Sequence, residues 1–185
     1  MTETIPDLHS KRLILRPFTQ SDAQDVASYV GDKEIAATTL SIPHPYSLEM
    51  AVEWIDTHVE AFARGESVNF AITLSDTLEL IGAVGLVRNE EHDRAEMGYW
   101  VGKPHWNRGF ASEAAHLVVD FGFEVWQLER IYAQHFATNP ASGKVMMNAG
   151  MQYEGCLRHH LKKWGQYQDL NVYSVLREEW LLARG

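Results

Sequence analysis

Trp106-Asn107-Arg108-Gly109-Phe110-Ala111-Ser112 is the stretch on which the fold turns. Before it, Arg94 to Val101 is a strand-like run. After it, Ala111 to Gly122 carries small or apolar residues at 111, 114, 115, 118, 119 and 122, the stripe of a helix with one buried face. A strand, a glycine-bearing turn and a helix N-terminus together make an anion site, because amides without intrahelical partners and the positive end of the helix dipole converge there. Arg108 adds a cation, and Ala111, Ala114 and Ala115 let the helix pack close to a sheet, so that a pyrophosphate can approach the backbone. Two other nucleotide loops are absent: there is no Gly-x-Gly-x-x-Gly, and Gly143-Lys144 is followed by Val145 where a triphosphate loop requires Ser or Thr. On this stretch alone, a loop that merely turns the chain into a helix stays equally open.

Toward the N-terminus, Leu13 to Arg16 reads as a strand and Asp22 to Val30 as a helix with Ser21 or Asp22 at its cap. Ser47 opens a second helix of about four turns, with Val52, Ile55, Val59 and Phe62 at helical spacing and Gly65 as its stop. Asn69 to Leu74, Ile81 to Val87 and Arg94 to Val101 predict an antiparallel meander. Beyond the central helix, Arg130 to Phe136 reads as a strand, Pro140 to Ala149 as a helix and Tyr167 to Leu176 as a last strand after an irregular stretch from Gly155. The pattern predicts an α/β fold: one mixed sheet, partly antiparallel and partly parallel, flanked by helices.

The 185 residues suit a single domain, and no repeat or linker divides them. Hydrophobic residues make up 45% and charged residues 22%, a globular balance. A net charge of −9 disfavours nucleic acid as a partner. Cys156 is the one cysteine, which excludes an intrachain disulfide and a multi-cysteine zinc site. The stretch from Met1 to Ser10 is polar and acidic, without a signal pattern, and no apolar run approaches the ~20 residues of a membrane span. A cytoplasmic protein without a membrane partner is expected, as a monomer or a homodimer. Nine histidines, among them His159-His160 and the helical pair of His116 with Asp120, form no metal-ligand motif, so no metal is expected.

Asn139-Pro140-Ala141-Ser142 through to Gly150-Met151 adds a specific signal. Taken with Arg-Ala-Glu-Met-Gly-Tyr-Trp-Val at 94 to 101 and the Asn-Arg-Gly-Phe-Ala turn, it resembles the GNAT superfamily of N-acetyltransferases, and within it the branch that acetylates ribosomal protein N-termini. The similarity runs from Lys11 to Phe18 at one end to Asp169 to Leu176 at the other. It implies the GNAT fold, a single N-acetyltransferase domain over 1–185, and transfer of an acetyl group from acetyl-coenzyme A to a primary amine, with a protein N-terminal α-amine as one acceptor class. The superfamily's loop pattern is Gln or Arg, two residues, Gly, one residue, then Gly or Ala; Gly109 and Ala111 match it, while Trp106 stands at the Gln or Arg position. The resemblance implies that the amides of Asn107, Arg108, Gly109, Phe110, Ala111 and Ser112 hold the pyrophosphate. It also implies that Trp100, Val101 and Gly102 pair with the pantetheine arm like an added strand.

Direct transfer requires a neutral amine, a donor for the developing oxyanion and a proton for the departing sulfur. An α-amine with a pKa near 8 is largely protonated at pH 7, so a base is useful. Glu96 is the candidate; alternation puts it with Gly98 and Trp100 on one face and Met97, Tyr99 and Val101 on the other. A solvated glutamate is the competing reading. Asn139 before Pro140, with Gly150 behind Ala149, is the cap-and-stop pattern of an ordinary helix, and Ser142 suits a cap as well. By resemblance, Asn139 bonds the pantetheine and Ser142 gives a hydrogen bond to the thiolate. Met146 stands where other branches carry a tyrosine acid, which excludes a phenol from that position. Lys144 reads either as a contact to a cofactor phosphate or as a surface lysine, and Arg158 with Asp169 either as the acceptor end of the cleft or as a pair. Thr38 to Tyr46 and Gly155 to Tyr167, expected to line the acceptor half, carry no decisive motif. Two alternatives stay open: a non-catalytic acyl-coenzyme A binding module, and an acetyltransferase for a small amine such as a polyamine, an amino acid or an aminoglycoside.

Overall fold

A computed structural model describes residues 4–185; Met1 to Glu3, which open the polar N-terminal stretch, lie outside the described residues. The strands are β1 (Leu8–His9), β2 (Leu13–Pro17), β3 (Ser67–Leu74), β4 (Leu80–Asn89), β5 (Arg94–Val101), β6 (Arg130–Phe136), β7 (Gln152–Lys163) and β8 (Gln166–Leu176). They form one sheet in the order β1-β2-β3-β4-β5-β6-β8-β7. Neighbours are antiparallel except β5 and β6. The expected mixed α/β sheet is therefore present.

The helices are α1 (Ala23–Val30), α2 (Lys33–Thr38), α3 (Leu48–Asp56), α4 (His58–Ala63), α5 (Phe110–Glu124), α6 (Pro140–Asn148) and α7 (Arg177–Leu182). None is long and apolar enough to cross a membrane among the described residues. α5 buries the small-residue stripe, including Ala114, Ala115, Val118, Val119 and Gly122, in the core with Met97 and Ile131. Its approach to the sheet is close: a Cβ on Gly122 would lie 2.6 Å from the Ile131 side chain. The opposite face of the sheet packs Trp100 and Ala83 with Val26, Val30 and Ile55 from α1 and α3.

The chain departs from the sequence reading in four places. The single helix from Ser47 is two, α3 and α4, meeting at Thr57, whose hydroxyl donates to the Trp54 carbonyl at 2.7 Å and competes with the helical ladder. After that break His58 is buried and Val59 is 73% exposed, so the stripe does not continue through 59. The stretch from Gly155, expected to be irregular, belongs to the twelve-residue strand β7, which returns as β8 through Trp164 and Gly165, both at positive φ. Finally β1, α2 and α7 are elements the apolar pattern did not announce.

The pairing of the central strands positions the candidate site. β5 pairs with β4 over its whole length, and β6 with β8 over its whole length, but β5 and β6 pair with each other only at Arg94↔Arg130, Ala95↔Ile131 and Glu96↔Tyr132. From Met97 and Ala133 onward the two strands part, leaving a V-shaped gap in the middle of the sheet.

Candidate active site

The gap opens beside the N-terminus of α5. Asn107 and Gly109 lie in the left-handed region, at φ 60° and 79°, and Gly109 caps the helix without a side chain. Turned this way, the loop leaves the amides of Asn107, Arg108, Gly109, Phe110, Ala111 and Ser112 without a protein acceptor among the described residues; the first amide of the helix to bond is that of Glu113, to the Gly109 carbonyl at 3.1 Å. Six consecutive unspent N–H groups at a helix N-terminus form a cradle for a polyanion. The loop is braced from outside by Arg12, which bonds the Arg108 carbonyl at 2.9 Å and Glu113 at 2.7 Å, with both Arg12 and Arg108 packed on the Phe110 ring. Arg12 was missed in the sequence, where it is one more basic residue near a strand. Trp106, at the position that departs from the family pattern, donates its indole N–H to the Val101 carbonyl at 2.6 Å and so fixes the turn between strand and loop.

The strand edge facing the gap follows from the register. The Gly102 amide donates to the Ile81 carbonyl at 2.8 Å, which makes 102 and 81, and likewise 100 and 83, the hydrogen-bonded pairs of β4 and β5. The backbone groups of Trp100 and Gly102 thus turn toward β4, and those of Met97, Tyr99 and Val101 toward the gap. Strand addition expected at Trp100 to Gly102 is corrected accordingly: of those three residues only Val101 offers backbone to the gap, and its carbonyl is taken by Trp106.

Side chains alternate as expected. Glu96 is half-buried on the face shared with Trp100, and takes hydrogen bonds from the Tyr132 hydroxyl at 3.3 Å and the Gln134 amide at 3.5 Å. Burial pushes its pKa above the ordinary carboxylate value, against the pull of the Tyr132 bond. Gly98, next on that face, has nothing within 4 Å of where a Cβ would stand. On the other face Tyr99 reaches α6, its hydroxyl 2.7 Å from Ser142 Oγ and 3.0 Å from the Ser142 carbonyl, two acceptors for its one proton. Burial raises the Tyr99 phenol to about 12, so it stays protonated.

Glu96 and Ser142 therefore flank β5 from opposite faces. Asn139 stands at the cap position of α6, but its side chain makes no capping bond. Lys144 is exposed on α6, without an ion pair among the described residues. α6 is tied to the loop by the Asn148 amide, which donates to the Ser112 hydroxyl at 3.2 Å. The two segments expected at the acceptor half do meet: Lys163 donates to the carbonyls of Thr39 and Ile42, each at 2.9 Å. Arg158 and Asp169 do not pair; Asp169 instead receives the His159 amide at 2.7 Å. Asp120, raised with His116 as a ligand pair, receives the Trp180 indole at 2.8 Å and pairs with Arg184 at 2.6 Å.

The acetyltransferase (GNAT) domain family matches residues 12–152. An uncharacterized N-acetyltransferase of Bacillus subtilis, YoaA, is 35% identical over 173 residues, covering 93% of this chain and 97% of its own. Two solved structures superpose over nearly the full length. The ribosomal L7/L12 α-N-protein acetyltransferase RimL, in complex with coenzyme A, does so with a TM-score of 0.84 at 18% identity, covering 92% of this chain and 98% of that one. The spermidine N-acetyltransferase of Vibrio cholerae, in complex with coenzyme A and spermine, does so with a TM-score of 0.80 at 23% identity, covering 93% and 99%.

Proposed function

The chain belongs to the acetyltransferase (GNAT) family, and on that premise we propose that it transfers the acetyl group of acetyl-coenzyme A directly to a primary amine, with Glu96 and Ser142 serving the two proton movements. The observation that carries the reading is the run of six unspent amides from Asn107 to Ser112 at the head of α5, beside the gap between β5 and β6. These groups fit a pyrophosphate, and the Asn139 side chain and the gap-facing backbone of Met97 and Tyr99 fit the amide-bearing arm that follows it. Bound there, acetyl-coenzyme A supplies the thioester whose carbonyl carbon the amine attacks, the C–N bond forming as the C–S bond breaks.

Glu96 takes, directly or through one water, the proton that the acceptor's ammonium must lose before its nitrogen can attack, and the second proton that this nitrogen loses as the amide forms passes to the departing thiolate. The raised pKa of Glu96 suits it to the task better than a fully solvated carboxylate. Ser142 gives a hydrogen bond to the departing sulfur. Tyr99, held neutral by burial, has one proton to give; given to Ser142 Oγ at 2.7 Å rather than to the Ser142 carbonyl, it leaves the serine's own proton free to point at the thiolate. Members of this fold include acetyltransferases of a ribosomal protein N-terminus and of spermidine, so an α-amine and a small amine are both acceptor classes to be tested.

Release of free thiol from acetyl-coenzyme A across peptides with free Ala or Ser N-termini, amino acids, polyamines and aminoglycosides tests the reading. Acceptor-dependent release is expected. Tight calorimetric binding of acetyl-coenzyme A with no release from any amine would instead favour the binding module. Gly109→Ala, which forces a side chain to φ 79° in the amide cradle, should weaken acetyl-coenzyme A about tenfold while the fold survives, since a Cβ there meets only Arg12 Nη2 at 3.5 Å.

A further inference from the structure

On the face of the sheet that carries Glu96 lies a cavity of about 380 Å³, lined by Arg94, Arg130, Tyr132, Gln134, Glu154 and Leu157 among others. Its two arginines differ. Arg130 is fully engaged: Glu154 accepts from it with both oxygens at 2.6 and 2.5 Å, and the Ser174 hydroxyl lies at 2.9 Å. Arg94 has no carboxylate within ion-pair reach and donates no hydrogen bond among the described residues, and its Nε is buried without a partner. Both guanidinium groups pack on the Tyr132 ring, Arg94 at 5.7 Å and Arg130 at 5.8 Å from its centre, and the hydroxyl of that ring donates to Glu96.

We infer that the acceptor carries a carboxylate a few bonds from its amine, and that Arg94 receives this carboxylate while the amine faces Glu96. The inference rests on the transfer reading above. Arg94 and Glu96 stand two residues apart on one face of β5, about 6.6 Å along the strand, a span that the amine and carboxylate of one small molecule can bridge. A guanidinium with a buried nitrogen and no counter-ion gains most from a bidentate carboxylate, and its charge opposes a polyamine brought to the same place. The carboxylate has two possible sources, the α-carboxylate of a free amino acid or an acidic side chain at the second position of a peptide.

The test compares L-amino acids with their carboxamides, and peptides with Asp or Asn second, on the wild type and on Arg94→Met and Arg94→Lys. The acid is expected to exceed its amide at least tenfold in kcat/KM, through KM, in one of the two pairs, which identifies the source. Arg94→Met should erase that preference, and Arg94→Lys should restore part of it. Acetyl-coenzyme A binding, unchanged in both variants, shows that they are folded. Equal rates for acid and amide, or a preference that survives Arg94→Met, would overturn the inference and leave the transfer reading standing. Calorimetry of N-acetylated amino acids and peptides on the coenzyme A-saturated protein separates the two further. Binding lost in Arg94→Met supports the carboxylate site even where no turnover occurs, and no preference for acid over amide in the wild type overturns it.

Discussion

The hydroxyl of Tyr99, on β5, lies 2.7 Å from the hydroxyl of Ser142, on α6, and joins the strand that borders the gap to the helix that follows β6. Removing that phenol oxygen tests whether Ser142 must be held. Tyr99→Phe keeps the buried ring and loses a hydrogen bond worth about 1 kcal/mol. In the proposed mechanism turnover should fall about five- to tenfold with the acetyl-coenzyme A affinity nearly unchanged, and Ser142→Ala should fall at least as far. A Tyr99→Phe enzyme with wild-type turnover and lower thermal stability would reduce the contact to packing.

Glu96→Gln keeps the shape of the side chain and removes its basicity. Loss of a positioned base costs about 100-fold or more. That loss is expected in kcat, with calorimetric affinity for acetyl-coenzyme A unaltered. The pH profile carries a second signature. Because burial raises the Glu96 pKa, activity that needs the carboxylate is complete above the raised value and lost as pH falls through it, at higher pH than for a solvated glutamate. Full turnover in Glu96→Gln would remove the residue from the mechanism.

Gly98 stands between Glu96 and Trp100 on one face, with open space where its Cβ would be. The Cβ of Gly98→Leu meets no protein atom within 4 Å, and the variant should leave the urea midpoint close to wild type. In the proposed mechanism the new side chain projects into the mouth where amine and thioester meet, and turnover should drop more than tenfold. A variant that unfolds, or one that turns over normally, would contradict the placement of the mouth.

His58 offers a test of stability apart from chemistry. It is 3% exposed, with both ring nitrogens lacking partners among the described residues, edge-on to Trp54 at 4.5 Å, and burial lowers its pKa to about 4. Between pH 6.5 and about 4 the unfolded chain binds the proton that the folded chain refuses, so the native state keeps this stability above pH 6.5 and loses it as pH falls toward the folded value. The loss amounts to about 3 kcal/mol. His58→Phe should flatten this part of the pH dependence, read as urea midpoints from pH 8 to pH 4; an unchanged slope would place the acid sensitivity elsewhere.

The central strands, α5 and the loop before it were legible because their signals are local. Small residues at helical spacing pack on a sheet wherever they occur, and Gly109 marks the turn by itself. β7 was illegible for the opposite reason: lying at the sheet edge with most of its side chains exposed, it has no apolar alternation to display. The break at Thr57 hid inside a stripe that was apolar on both sides of it. At the proposed site, the sequence offered Glu96 and Ser142 as candidates but not their geometry. The Tyr99–Ser142 contact joins positions 43 residues apart, and depends on where α6 lands over β5, which no spacing along the chain encodes. Arg94 was quoted within a motif and passed over, since only the tertiary structure shows that its neighbour Arg130 has a carboxylate and that Arg94 has none among the described residues.

The sheet acts as a partition. Its strands separate the side of α5 and α6, where the unspent amides lie, from the side of Glu96 and the cavity, and the parting of β5 from β6 is an aperture through it. Donor and acceptor can then arrive from opposite compartments and meet only at the opening, neither obstructing the other's entry or departure. Such an arrangement favours a ternary complex over a covalent acyl-enzyme. It implies intersecting rather than parallel double-reciprocal lines, and inhibition by coenzyme A that competes with the donor but not with the amine.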